Sequence, residues 1–177
     1  MQVKRVKFFS KDYKKICKLL CTSLPRQEHL PLSLIYLLSL RKDIHYLSFY
    51  DNETLVGLMY TITTKELDYL LYLVVDPNIR SKGYGSQMMA WVKNKNGEKP
   101  MALDIETLDE KASNYEQRIK RYHFYQKNGF IETESIINYN DNDFIIMTNK
   151  NTFDKNALIK LFKSFTYHLY KPNIRLK

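Results

Sequence analysis

Residues 69–75, Tyr-Leu-Leu-Tyr-Leu-Val-Val, are the most continuous apolar run of the chain; Asp76-Pro77 stops it, and Gly83 and Gly85 follow. Such a run suits a strand covered on both faces and therefore central in a sheet. Proline ends it by removing a ladder donor and restricting the residue before it. Residues 83–93 then place Met88, Met89 and Val92 at helical spacing, with Asn96-Gly97 as a stop. A buried strand thus gives way to a helix that opens among glycines. The first turn of a helix has unsatisfied N–H groups and a partial positive charge, so this geometry suits an anion. Gly83 and Gly85 let the backbone approach a diphosphate with no Cβ in the way. Arg80 and Lys82 add full charge and strengthen hydrogen bonds to phosphate oxygens.

Two other phosphate-binding glycine motifs do not fit. A dinucleotide fingerprint needs a third glycine where this chain has Met88, and a P-loop needs Gly before Lys, whereas here Lys82 precedes Gly83. Taken alone, the loop is equally compatible with a plain bend between strand and helix.

The remaining chain reads as mixed α/β. Residues 3–9 alternate like an edge strand, and residues 11–22 set Ile16, Leu19 and Leu20 on one helical face before Pro25. Pro31 starts a second helix that reaches about Lys42. Residues 46–50 and 55–63 form a hairpin about Asp51-Asn52-Glu53, and residues 101–105 form a further strand. Residues 113–127 form a helix closed by Asn128-Gly129. Residues 130–139 and 144–149 make a last hairpin about Asn140-Asp141-Asn142, and residues 154–169 an amphipathic tail helix. The sheet is expected to be mostly antiparallel and flanked by helices, an α+β arrangement.

With 177 residues the chain has the length of one domain and can bury a core without staples. Its net charge of +9 favours anionic partners, whether nucleic acid, a membrane surface or a phosphorylated ligand, without choosing among them. Residues 1–6 contain no signal-like apolar run. The apolar stretch 30–40 is too short to span a bilayer, so a cytoplasmic protein without a membrane partner is expected. Cys17 and Cys21 stand one helical turn apart, where a disulfide is poorly placed and two thiols without histidine make a weak metal site. Buried free thiols and no metal are the expectation.

Two segments carry a family resemblance. Residues 72–86, from the strand through Val75-Asp76-Pro77 to Arg80-Ser81-Lys82-Gly83-Tyr84-Gly85-Ser86, resemble the coenzyme-A loop of the GNAT superfamily of N-acetyltransferases. Phe124-Tyr125-Gln126-Lys127-Asn128-Gly129-Phe130 resembles that family's Phe-Tyr-x-x-x-Gly-Phe helix ending. The order of elements agrees over residues 3–150. The resemblance implies an acetyltransferase domain at residues 1–150, and residues 151–177 read as a helical extension packed on the domain or on a partner subunit. A departure lies in the helix before Tyr125, where Arg118 and Arg121 stand in place of the usual Asn and Ala. Arg118 then either meets a phosphate or pairs with Glu106 or Asp104.

What the resemblance implies is an acetyl-CoA-dependent N-acetyltransferase in which a primary amine of a small molecule or peptide attacks the thioester directly. Acetyl-CoA would lie on Arg80, Ser81, Lys82, Gly83, Tyr84, Gly85 and Ser86, with backbone N–H groups near Leu73, Val74 and Val75 facing the thioester oxygen. Tyr125 matches the general acid, since a phenol stays protonated at neutral pH. For the general base Glu106 is the first candidate and Glu66 the second, and His123 beside Tyr125 reads as a surface residue. The acceptor is expected near residues 22–30 and 138–143, which contain Glu28, Asp141 and Asp143. The competing reading is a noncatalytic module whose basic surface holds nucleic acid or a protein partner, but no nucleic-acid-binding motif is present. A second copy of the chain is a further candidate partner.

Overall fold

In the computed structural model residues 1–24, 29–139 and 142–177 are described, so Pro25, Glu28, Asn140 and Asp141 of the sequence reading lie outside them. The chain divides into two compact units, Met1–Thr63 with Leu70–Gly97, and Thr64–Tyr69 with Glu98–Lys177.

The first unit holds β1 (Gln2–Arg5), α1 (Tyr13–Ser23), α2 (Leu32–Ser39), β2 (Ile44–Asp51), β3 (Thr54–Thr63), most of β4 (Asp68–Val75) and α3 (Tyr84–Asn96). Its strands follow the order β1-β2-β3-β4. β1 and β3 both pair antiparallel with β2, and Asn52 takes a φ of 52° in the β2–β3 turn. Phe49, Leu58, Met59, Tyr60 and Ile62 fill the core together with Ile16, Leu20 and Ile35 from the helices. The Tyr60 hydroxyl donates to the Ile35 carbonyl at 3.1 Å, so the buried phenol is satisfied. α1 buries Ile16, Leu19 and Leu20 as the spacing predicts. Its cysteines correct one expectation: both are free, but Cys17 is half-buried and Cys21 exposed. They follow the buried positions by one residue, about 100° around the helix, which turns them off the core stripe.

The second unit holds the first residues of β4, then β5 (Met101–Glu106), α4 (Tyr115–Lys127), β6 (Ile131–Tyr139), β7 (Asn142–Thr148), α5 (Lys155–Phe165) and β8 (Asn173–Leu176). Asp68↔Met101 and Tyr69↔Ala102 are parallel rungs between β4 and β5. The order continues β5-β7-β6-β8, antiparallel throughout. Buried Asp68 is neutralised by Lys99 at 2.6 Å, as an ionised group inside a fold requires. α4 closes as Asn128-Gly129 predicts: Gly129 has a φ of 78°, its N–H reaches the Gln126 carbonyl, and the Phe130 N–H reaches that of Tyr125.

The tail departs from the sequence reading. α5 buries Ala157, Leu158, Leu161, Phe162 and Phe165 but ends at Phe165, not at Leu169. Tyr167 and His168 adopt φ values of 52° and 65°, which turn the chain back toward β8. β8 then pairs with β6 through Ile137↔Ile174. Its four residues Asn-Ile-Arg-Leu are too short for periodicity to reveal a strand.

Candidate active site

In the first unit β4 is covered less evenly than its composition suggests. Leu70, Tyr72 and Val74 are buried, whereas Leu71, Leu73 and Val75 on the alternate face are half-buried. Both faces are equally apolar in sequence, so periodicity could not separate them. The strand ends at Asp76, whose N–H bonds the Val56 carbonyl and whose carboxylate accepts from the Asn78 N–H at 2.9 Å. Pro77–Ile79 makes one 3₁₀ turn, and Arg80, Ser81 and Lys82 lie exposed beyond it.

Two left-handed residues, Ser81 at a φ of 66° and Gly83 at 79°, then swing the chain into α3. Gly83 is the N-cap and has no side chain to satisfy the first amides, and no acidic residue stands in the first turn. The start of α3 is therefore an uncapped, positively polarised terminus beside two full positive charges. It is held from two sides. The Tyr84 hydroxyl donates to Asp51 at 2.6 Å, and Met88 presses on Gly57 of β3.

In the second unit α4 carries Tyr125, 8% exposed, with its ring edge-on to Phe124 and Phe130. Burial pushes this phenol up to about 12; the Arg121 charge opposes the shift and Asp104 adds to it. Glu106 is tightly held. Asn114 donates to it at 2.9 Å, Arg118 lies at 3.6 Å, and Arg121 forms a close ion pair. Arg118 also donates to Asn114 and to the Thr107 carbonyl. Pairing with Glu106 is one of the roles open to Arg118 in the sequence. Glu66 is exposed and lies 3.6 Å from Lys160. His123 is exposed beside Gln126. Asp143 bonds Asn138 and Arg175, while Glu28 and Asp141 lie outside the described residues.

The sequence profile of the acetyltransferase (GNAT) domain matches residues 42–132, just over half of the chain. The chain belongs to the GNAT acetyltransferase family. The curated protein "Putative acetyltransferase YjbC" of Bacillus subtilis (strain 168) is 37% identical over 65 residues, 37% of this chain. That match spans only 31% of the length of YjbC. A GNAT-family structure from Bacteroides thetaiotaomicron superimposes with a TM-score of 0.79 at 19% identity, covering 96% of this chain and all of that one. An aminoglycoside 6′-N-acetyltransferase complexed with coenzyme A gives a TM-score of 0.65 at 18% identity, covering 87% of this chain and all of that one. At such identities the likeness is one of fold.

Two residues of this GNAT chain went unassigned in the sequence. Gly57 stands in a strand pattern, where an isolated glycine signals a close backbone approach, and that signal was legible. Asp104 was named only as a possible partner of Arg118. Besides burial, its charge raises the phenol pKa of Tyr125 of α4, Tyr139 of β6 and Tyr170 beyond α5, which no local pattern links to β5. Among the described residues no helix is long and apolar enough to cross a membrane.

Proposed function

We propose that this chain transfers an acetyl group from acetyl-CoA to a primary amine of a small molecule or peptide by direct attack on the thioester. The observation that carries the reading is the uncapped start of α3, where Gly83 leaves the first amides without a side-chain acceptor and Arg80 and Lys82 stand exposed beside them. Those amides, with the Ser86 hydroxyl, are suited to the oxygens of a diphosphate. The half-buried face of Leu71, Leu73 and Val75 offers apolar surface for a pantetheine arm, and backbone N–H groups of Leu73, Val74 and Val75 are assigned to the thioester oxygen.

Tyr125 is assigned to the departing sulfur. A phenol pushed up to about 12 stays protonated at neutral pH, and Arg121 favours the phenolate left after it gives up its proton. Glu106 is the residue that the sequence nominates as base. With Asn114 and two guanidiniums against it, it also fixes the start of α4 relative to β5.

The test is calorimetric titration with acetyl-CoA, followed by thiol release with a panel of polyamines, aminoglycosides, amino acids and peptides. Saturable acetyl-CoA binding that is lost in Gly85→Asp, with amine-dependent thiol release, is the expected result. Unchanged affinity in Gly85→Asp would overturn the assignment of the loop.

A further inference from the structure

Phe8 and Phe9 stand in the turn between β1 and α1, and both are exposed, Phe9 by 95%. Phe8 packs against Tyr13 of α1 at 4.8 Å and Tyr36 of α2 at 5.2 Å, and the two tyrosines meet edge-on at 5.9 Å. These rings set α1 and α2 side by side, with the phenylalanines at their junction. Leu37 and Leu40 continue the apolar surface along α2, exposed on the side opposite its buried Ile35 and Leu38. Arg5 holds that end of α2 by donating to the carbonyls of Ser39 and Arg41 at 2.6 and 2.9 Å. With Leu34 of α2 and Met1, these are the exposed large apolar side chains of the first unit among its described residues. Its apolar surface is thus gathered in one patch, and such patches mark interaction sites, whereas scattered apolar residues do not.

The border of the patch is cationic. Lys7 and Lys11 bracket the two phenylalanines, and Lys14 and Lys18 follow one turn apart on the side of α1 away from its buried Ile16 and Leu19. All four lysines are exposed, and among the described residues none has a carboxylate partner. Asp12, the one acidic residue between Met1 and Leu24, is taken by the Tyr50 hydroxyl and by Lys15. We infer that this face docks on an anionic lipid surface, with Phe8, Phe9, Leu37 and Leu40 entering the headgroup layer and the lysines lying among the lipid anions. Phe9 projects from the fold; a protein partner would need a matching pocket for it, whereas a bilayer yields around it. Leucines cannot stack on bases as a single-stranded nucleic acid requires. A second copy of this chain would bring the same lysines against these, a like-charge contact. Lysine also suits a diffuse anionic surface, because its ammonium is a point charge without the bidentate geometry of a guanidinium. The expectation of no membrane partner came from the lack of a spanning stretch, and it does not extend to a chain that lies on the surface.

The test is flotation of the full chain, without acetyl-CoA, on vesicles of phosphatidylcholine alone and of phosphatidylcholine mixed with phosphatidylserine. Binding to the mixed vesicles is expected to be at least tenfold tighter, and to weaken as salt rises. Phe9→Ser and the double variant Lys14→Glu with Lys18→Glu are each expected to weaken it at least tenfold at an unchanged Tm, since these side chains are exposed and enter no ion pair of the described fold. Equal binding to both kinds of vesicle, or wild-type binding by the lysine variant, overturns the inference. Wild-type binding by Phe9→Ser alone means adsorption by charge, and overturns the apolar docking. No binding to either vesicle overturns it outright. A Phe9-dependent dimer in sedimentation, or Phe9-dependent binding of polyglutamate or a single-stranded oligonucleotide, then identifies the occupant in the bilayer's place.

Discussion

Gly57 of β3 lies against Met88 of α3 so closely that a Cβ on the glycine would stand 2.7 Å from the Met88 sulfur and 2.5 Å from the Val74 carbonyl oxygen. The thioether could move aside, but the carbonyl belongs to the backbone of β4 and cannot. Gly57→Ala must therefore push β4 or α3 outward. A cost of about 1–3 kcal/mol is expected, typical of overpacking, and thermal unfolding would show it as a lower Tm. Because α3 begins at the proposed diphosphate site, the acetyl-CoA Kd should rise as well. A variant with unchanged Tm would mean that the contact is slack.

Gly83 poses the opposite case. Nothing lies within 4 Å of the Cβ it lacks, so Gly83→Ala meets only the backbone penalty of a φ of 79°. That penalty is roughly 1 kcal/mol. The expected result is a modest Tm loss, smaller than for Gly57→Ala, with acetyl-CoA affinity reduced because the first amides of α3 turn with residue 83. Calorimetry on both variants separates packing from backbone conformation.

Local features of this protein were read from local sequence. The stop at Asp76-Pro77, the helix opening at Gly83 and the closure at Asn128-Gly129 all depend on residues within a few positions of one another. What escaped was set by distant partners. β8 is a strand only because β6 offers it an edge, and its four residues carry no pattern of their own. The uneven cover of β4 was hidden because Leu71, Leu73 and Val75 are as apolar as the residues on the buried face. Asp104 shares its strand and polarity with Glu106, yet Glu106 takes two arginines while burial raises the Asp104 carboxyl. Only the packing of distant elements on β5 distinguishes them.

The Glu106 ion pairs should contribute mainly to the fold. Glu106→Gln leaves the guanidiniums of Arg118 and Arg121 without their counter-charge beside a carboxylate site that is only 15% exposed. The three groups are partly exposed, so a loss of about 1–2 kcal/mol is expected, less than for one side of a fully buried pair. Chemical denaturation would measure it. If Glu106 also serves as the base, Glu106→Gln will abolish the acidic limb of the kcat/KM profile. If that limb survives in Glu106→Gln, Glu106 is not the base.

Tyr125→Phe keeps the ring between Phe124 and Phe130 and removes only the hydroxyl, so stability should change little. Turnover should fall about 10²–10³-fold, the usual worth of a positioned acid, with the acetyl-CoA Kd unchanged. Single-turnover thiol release reads this directly, and wild-type rates in the variant would remove the phenol from the chemistry.

The raised Asp104 carboxyl also makes stability depend on pH, with a definite sign. An aspartate in the unfolded chain titrates near pH 3.9, whereas burial pushes Asp104 up to about 7 in the fold. The folded state thus holds the proton more tightly. This contribution is fully present below about pH 3.9 and is lost as pH rises through about 7. Above that pH the fold carries an ionised carboxylate without a cationic partner among the described residues. Asp104→Asn, which is neutral at every pH, should therefore raise Tm at pH 8 and gain nothing at pH 4. The difference between the two pH values should be roughly 4 kcal/mol. If the wild-type and Asp104→Asn curves run parallel from pH 4 to pH 8, Asp104 is an ordinary solvated carboxylate.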